Sequence, residues 1–226
     1  MLLEWIVANK EFAKIIYALA VMFICGIIFL RADRLFKISD YQGLRYFRNS
    51  FLFYGLGFFT QLILVKIVDP LPSCPGLFGF WVGIFAKFFL LLASFFLLYS
   101  LLWKKFERVK NHHSLFNLRM VPIYLLSLIV ILFDLIFVAR VFELSQLIVF
   151  FFMALVMINT LIKGSNSRSY KKYFLVISLG FIASLFNYLT FIIPFAGGSG
   201  NRFYIYLLNS AFFFLFFYFS YRATKK

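Results

Sequence analysis

The chain has 226 residues, 64% of them hydrophobic, with a mean hydropathy of +0.94 and a formal net charge of +15. Soluble domains are roughly half apolar, and a core of this size cannot hide such a surplus. The composition excludes an ordinary soluble enzyme and points to one all-α, polytopic membrane domain over residues 1–226.

Taken in order, the start MLLEWIVANKEFAK carries Glu4 and Glu11 without a basic leader, so it reads as a short interfacial helix rather than a cleaved signal peptide. Seven apolar stretches follow, at about residues 12–30, 50–68, 80–102, 121–139, 142–162, 173–193 and 203–221. At about 1.5 Å per helical residue each is long enough to span ~30 Å of hydrocarbon. The break after the fourth is the least marked. Residues 121–162 as one helix would reach about 60 Å, so the chain is expected to turn near Arg140 and Glu143. Phe contributes 36 residues and Tyr 13, which suits lipid contact and the interface better than an aromatic cofactor box.

The cations mark an orientation. Arg31, Arg34, Lys37, Arg45 and Arg48 lie between spans one and two. Lys104, Lys105, Arg108, Lys110 and Arg119 lie between three and four, Lys163, Arg168, Lys171 and Lys172 between five and six, and Arg222, Lys225 and Lys226 in the tail. The other side and the spans hold only Lys10, Lys14, Lys66, Lys87, Arg140 and Arg202. Lys and Arg concentrate in cytoplasmic loops, so the N-terminus is expected outside and the C-terminus in the cytoplasm. SDYQGLRYF at 39–47 and SNSRSYKKYF at 165–174 both lead from a basic loop into a span. This weak echo suggests a three-plus-one-plus-three arrangement with parallel halves.

One acid, Asp134, sits toward the far end of the fourth span. An ionised carboxylate in hydrocarbon costs at least ~2.5–3.5 kcal/mol, so it needs a partner or a wet cavity. Counting inward from the outer ends, Gln61, Lys87, Asp134, Asn187 and Asn209 fall at one depth, about 7–11 Å down, with Glu143, Gln146, Lys14, Lys66 and Thr190 nearby. The functional reading is an outward-facing polar pocket with Lys87 and Asp134 as its charged pair. The bland reading is a clasp of ion pair and amides that only ties helices together. Lysines that snorkel to the interface are a third reading.

Gly79 and Gly83 at the head of span three, and Gly55 and Gly57 in span two, are expected to let helices approach closely. The basic cytoplasmic face, represented by Arg31, Arg34, Arg45, Arg48, Lys104, Lys105, Arg108, Lys171 and Lys172, is expected to hold anionic lipid headgroups. Its sharper reading is a docking face for a separate acidic protein, with Tyr41, Leu44 and Phe47 as apolar contacts. Nucleic acid is not expected, because topology already explains the charge.

Several classes are disfavoured. Cys25 and Cys74 lie far apart in depth and are not expected to pair. His112 and His113 have no companions at metal-ligand spacing. No paired acids, catalytic triad, P-loop or dinucleotide fingerprint occurs, so neither enzyme activity nor a cofactor is expected. The last span has no lysine for retinal, span three lacks an acidic-Arg-Tyr ending, and no Pro-Gln pair occurs. All five prolines lie at span ends or in loops, unlike the broken spans of many carriers.

The expectation is a small sensor or receptor-like module in the cell membrane. It would bind a small or lipid-like ligand from the outer side and signal to a separate partner, since only a few residues follow Tyr221. A small transporter using Lys87 and Asp134 is the alternative, and an accessory subunit of a membrane complex is the third. Vesicle uptake that depends on Asp134 would mark the transporter. A stoichiometric cytoplasmic partner would mark the sensor.

Overall fold

The computed structural model describes residues 10–60, 77–106, 120–137, 140–162, 168–192 and 199–224, with side chains over 15–60, 79–103, 120–136, 140–160, 162, 173–189 and 208–222. The described chain is all-helical. Its helices are α1 (Lys10–Ser39), α2 (Gln42–Phe58), α3 (Leu77–Phe106), α4 (Val121–Phe137), α5 (Val141–Ile162), α6 (Arg168–Ile192) and α7 (Ser199–Thr224). Among the described residues, three stretches are long and apolar enough to cross a membrane: Ile15–Ser39, Gly79–Trp103 and Val141–Thr160. Val121–Ile136 and Tyr173–Leu189 are shorter apolar helices.

The helices run past the expected spans at the basic end. α1 continues nine residues beyond Leu30, so most of the first basic segment is helix and only Asp40 and Tyr41 separate α1 from α2. A hydropathy window registers the apolar part of a helix and stops where the cations begin, although Arg and Lys are good helix formers. Local contacts explain the extension. Asp33 pairs with Lys37 one turn on, at 2.9 Å, and with Arg48 of α2. The helix then ends as Asp40 takes a left-handed φ of 47°, its N–H still bonded to Phe36 O at 2.8 Å. Asp is among the few residues that tolerate this conformation, which turns the chain sharply. Arg140 repeats the device with φ 47° between α4 and α5.

Six helices enclose one core. Val21, Cys25, Ile28 and Ala32 come from α1, and Phe47, Phe51, Tyr54 and Phe58 from α2. Ala93 and Leu97 of α3, Val149, Phe150, Met153 and Met157 of α5, Val176 and Ile177 of α6, and Phe216 and Phe217 of α7 complete it. Neighbours around the ring run α1–α2–α3–α5–α6–α7 and back to α1. At its centre Phe51 stacks on Phe216 at 6.2 Å, and Tyr54 meets Phe217 edge-on at 5.5 Å. Tyr54 Oη lies 3.3 Å from Ser94 Oγ, and Ser94 itself donates to Leu90 O at 3.1 Å, so the tyrosine is the donor between α2 and α3.

α4 stands outside this ring. It packs on α3 and α5 through a narrow stripe, Met120, Ser127, Ile131 and Asp134, at spacings of seven, four and three. Leu125, Leu128, Ile129, Leu132 and Ile136 point away and are exposed. The stretch with the most uniform apolar run is thus peripheral, with one narrow contact face and a wide exposed apolar surface.

The glycines divide. A Cβ on Gly57 would lie 2.8 Å from Leu90 Cγ, and one on Gly180 only 2.4 Å from Phe150 Cε1, so these two permit close α2–α3 and α5–α6 packing. Gly55 has ordinary clearance to Cys25, at 3.5 Å. Gly79 and Gly83 meet nothing within 4 Å. The expectation of a tight seam at those two does not hold among the described residues, because spacing alone does not say which face of α3 they occupy.

Candidate functional site

Among the described residues, two polar groups that join helices at one end and a cavity toward the other are candidates for a site. The first polar group joins α3, α4 and α5. Lys87 Nζ donates to Asp134 Oδ2 at 2.6 Å, and the Phe142 backbone N–H donates to Asp134 Oδ1 at 3.1 Å. Phe142 is the second residue of α5, and the first N–H groups of a helix have no partner of their own. Asp134 therefore caps α5 from the preceding helix, with its charge at the positive end of the α5 dipole. The Lys87 ammonium also lies 5.6 Å from the centre of the Phe142 ring. The Asp134 side chain is 7% exposed and that of Lys87 42%, so the acid is enclosed while the lysine reaches it from an open side.

The second group ties α6 to α7. Asn209 Nδ2 donates to Asn187 Oδ1 at 3.4 Å, and Asn209 Oδ1 is buried with no partner among the described residues. Glu143, in the first turn of α5, likewise has its Oε2 buried and without a partner. Gln146, one turn further on, is 5% exposed. Gln61 and the side chains of Lys14, Lys66 and Thr190 lie outside the described residues. The shared layer read from the sequence thus resolves into one bonded group on α3, α4 and α5 and another on α6 and α7.

The cavity lies toward the other ends of the helices. About 290 Å³ of half-open cavity is lined by Tyr41 at the turn before α2, Gly43, Leu44 and Phe47 of α2, Leu97, Ser100 and Leu101 of α3, Val156, Met157 and Thr160 of α5, and Tyr173, Val176 and Ile177 of α6. Ten residues separate Lys87 from Leu97 on α3, which is about 15 Å along a helix. Ser100 Oγ donates to Leu97 O at 2.6 Å and Thr160 Oγ1 to Val156 O at 2.7 Å. Their protons are spent inside their own helices, so both hydroxyls keep only acceptor capacity. Tyr41 is 40% exposed at the rim and stands edge-on to Trp103 with ring centres 5.0 Å apart. A Cβ on Gly43 would lie 2.6 Å from the Tyr41 ring and 2.8 Å from Trp103 Nε1, so only glycine admits both rings here. That indole N–H is buried and has no acceptor among the described residues.

The described cations of this end are partly engaged. Arg31 lies 4.3 Å from the centre of the Tyr221 ring. Arg48 pairs with Asp33 and lies 5.4 Å from the Phe29 ring centre. Arg45, next to Leu44 in sequence, makes no ion pair among the described residues. Arg34 sits on the same cation-rich extension of α1. The side chains of Lys104, Lys105, Arg108, Lys171 and Lys172, and both histidines, lie outside the described residues. Among those described, no group of three or more His, Cys, Asp or Glu could hold a metal ion.

The cavity is the feature that sequence reasoning missed, although it had paired Tyr41, Leu44 and Phe47 as one apolar face. Their spacing of three places Leu44 and Phe47 along one side of α2, with Tyr41 immediately before its start. Which residues of α3, α5 and α6 face that side is decided by tertiary packing.

No protein-family model matches the chain, and no solved structure matches it. A protein of Archaeoglobus fulgidus, described as an uncharacterized protein, is 33% identical over 115 residues. The match takes in 47% of this chain and 48% of the relative, so the chain spans about half the length of the curated relative it matches.

Proposed function

We propose that this chain is a multi-pass protein of seven membrane-crossing helices, N-terminus outside and C-terminus cytoplasmic, that works as a small receptor-like sensor in the cell membrane. A lipid-like ligand seats among α2, α3, α5 and α6, and a separate protein reads the change at the basic end. The observation that carries this is the cavity of about 290 Å³ inside the helix ring. Apolar side chains from four helices line it with a few hydroxyls, the usual make-up of a small-molecule site. The sequence had put the ligand at the outer polar layer. Lys87 and Asp134 spend their charges on each other and on the start of α5, so we site the ligand at the basic end instead.

The bonded groups give the sensor its lever. α3, α4 and α5 are pinned at one end, and a ligand wedged between α3 and α5 at the other moves the free ends most. Those ends carry the basic segments, which anionic lipid or an acidic partner surface would contact. The orientation rests on the distribution of Lys and Arg.

Two measurements test the proposal. In a background with Cys74 replaced and the buried Cys25 retained, cysteines introduced one at a time at Ser165 and Ser199 are labelled in sealed vesicles with an impermeant maleimide. Labelling of Ser199→Cys from outside and of Ser165→Cys only after lysis is expected. In-membrane crosslinking should then recover a stoichiometric partner whose yield changes with ligand. Uptake into proteoliposomes that requires Asp134, with no partner recovered, would overturn the sensor in favour of a transporter.

A further inference from the structure

We propose that the cavity takes an anionic amphiphile with a single acyl chain, its tail between α3 and α5 and its head oxygen on the Trp103 indole N–H. This rests on the ligand-site reading above and names the ligand's chemistry. Three observations converge on it.

The cavity wall comes first. Phe47, Leu97, Leu101, Met157, Val176 and Ile177 make a lining that an alkyl chain fits and a compact polar solute does not. The second is Trp103 Nε1. It is a buried donor without an acceptor among the described residues, 2.8 Å from where a Cβ on the cavity-lining Gly43 would stand, just behind that lining. Such a donor is costly to leave unmet, and a carboxylate or phosphate oxygen meets it with a charge-assisted bond. The third is charge. Arg45 follows Leu44 and makes no ion pair among the described residues, and the surrounding segments are strongly basic in sequence. Ser100 and Thr160 offer acceptors only, so they suit a hydroxyl or amide proton on the ligand and give nothing to an anion. The anionic head therefore belongs at the rim, near Trp103, and the chain passes between the two hydroxyls. Tyr41 packs edge-on against Trp103, and this half-exposed ring is the one the head displaces.

The test compares three probes on the full chain, purified in a neutral detergent and read by native mass spectrometry and tryptophan fluorescence. Palmitate carries both chain and charge, hexadecanol the chain alone, and inorganic phosphate the charge alone. Palmitate is expected to bind once per chain, at least about tenfold tighter than hexadecanol, with phosphate silent. Trp103→Phe keeps the ring and removes the donor, so palmitate should fall to the hexadecanol level while hexadecanol is unchanged. Ser100→Leu and Thr160→Leu fill the cavity from opposite helices, and each should weaken both chain-bearing probes.

Equal binding of palmitate and hexadecanol, indifferent to Trp103→Phe but lost on filling, would overturn the anionic class and keep a ligand site. Binding of neither, or binding that ignores both filling variants, would overturn the ligand site as well. A phosphate signal equal to that of palmitate would overturn the role given to the chain.

Discussion

Replacing Asp134 by alanine should be the most damaging single change at the α3–α4–α5 junction, and the structure allows its size to be worked out. The carboxylate is 7% exposed and makes two bonds, one to Lys87 Nζ at 2.6 Å and one to the Phe142 N–H at 3.1 Å. Loss of a helix cap costs about 0.5–2 kcal/mol. Breaking a fully buried pair costs about 3–5 kcal/mol, but the Lys87 side chain is 42% exposed and recovers much of its hydration, so about 1 kcal/mol is the fitting share here. Asp134→Ala should therefore lose about 1.5–3 kcal/mol. Asp134→Asn keeps an acceptor for Phe142 and should lose only about 1 kcal/mol. Lys87→Met should cost little alone, and paired with Asp134→Asn it should show a coupling of about 0.5–1.5 kcal/mol. Urea or SDS unfolding of the four variants in mixed micelles provides the free energies. Hydrogen exchange at Phe142 provides the local readout and should speed up in the alanine variant only. Strict additivity of Lys87→Met and Asp134→Asn, with Phe142 exchange unchanged in Asp134→Ala, would refute the clasp.

The remaining expectations concern packing. Gly180→Ala pushes a methyl to 2.4 Å from Phe150, a ring 1% exposed and packed on Phe216, so it should destabilise by about 1–3 kcal/mol in the same unfolding assay. Gly26→Ala meets nothing within 4 Å inside α1 and should stabilise by about 0.5–1 kcal/mol. Cys25 is 2% exposed, so in a Cys74→Ser background a maleimide should react only as the protein unfolds, with a midpoint that tracks the loss of helicity. Arg48→Met removes the bond to Asp33 between α1 and α2 at a part-exposed site, where a loss below about 1 kcal/mol is expected.

The sequence made some of this legible and hid the rest for physical reasons. A lone acid in an apolar run must find a partner, which is why Lys87 and Asp134 could be paired across 47 positions. That Asp134 also caps α5 was hidden, because the cap comes from the preceding helix, eight residues before the N–H it meets, and not from the residue next to the helix start. Asn187 and Asn209 were placed at one depth, and depth along a helix follows from counting. Rotation about the helix axis does not follow in a nearly uniform apolar run. That is why Gly79 and Gly83 could be assigned to a seam they do not make, and why the face of α4 toward the ring was unreadable. The grip of Asp33 on Arg48 was hidden as well, since it needed the close return of α2 against α1. The cavity was hardest to foresee, since apolar residues from four helices line it and none differs in type from its neighbours.

The position of α4 has a mechanical consequence. A helix attached along one thin line, with lipid-like surface around the rest of its girth, contributes least to the cohesion of the whole. In the proposed seven-pass arrangement, a chain drawn out of a bilayer from the C-terminal end would surrender α7, α6 and α5, which share the core, at higher force. Once α5 has left, α4 keeps only its hold on α3 and should follow at the lowest force in the trace, leaving α1 to α3 as a residual block.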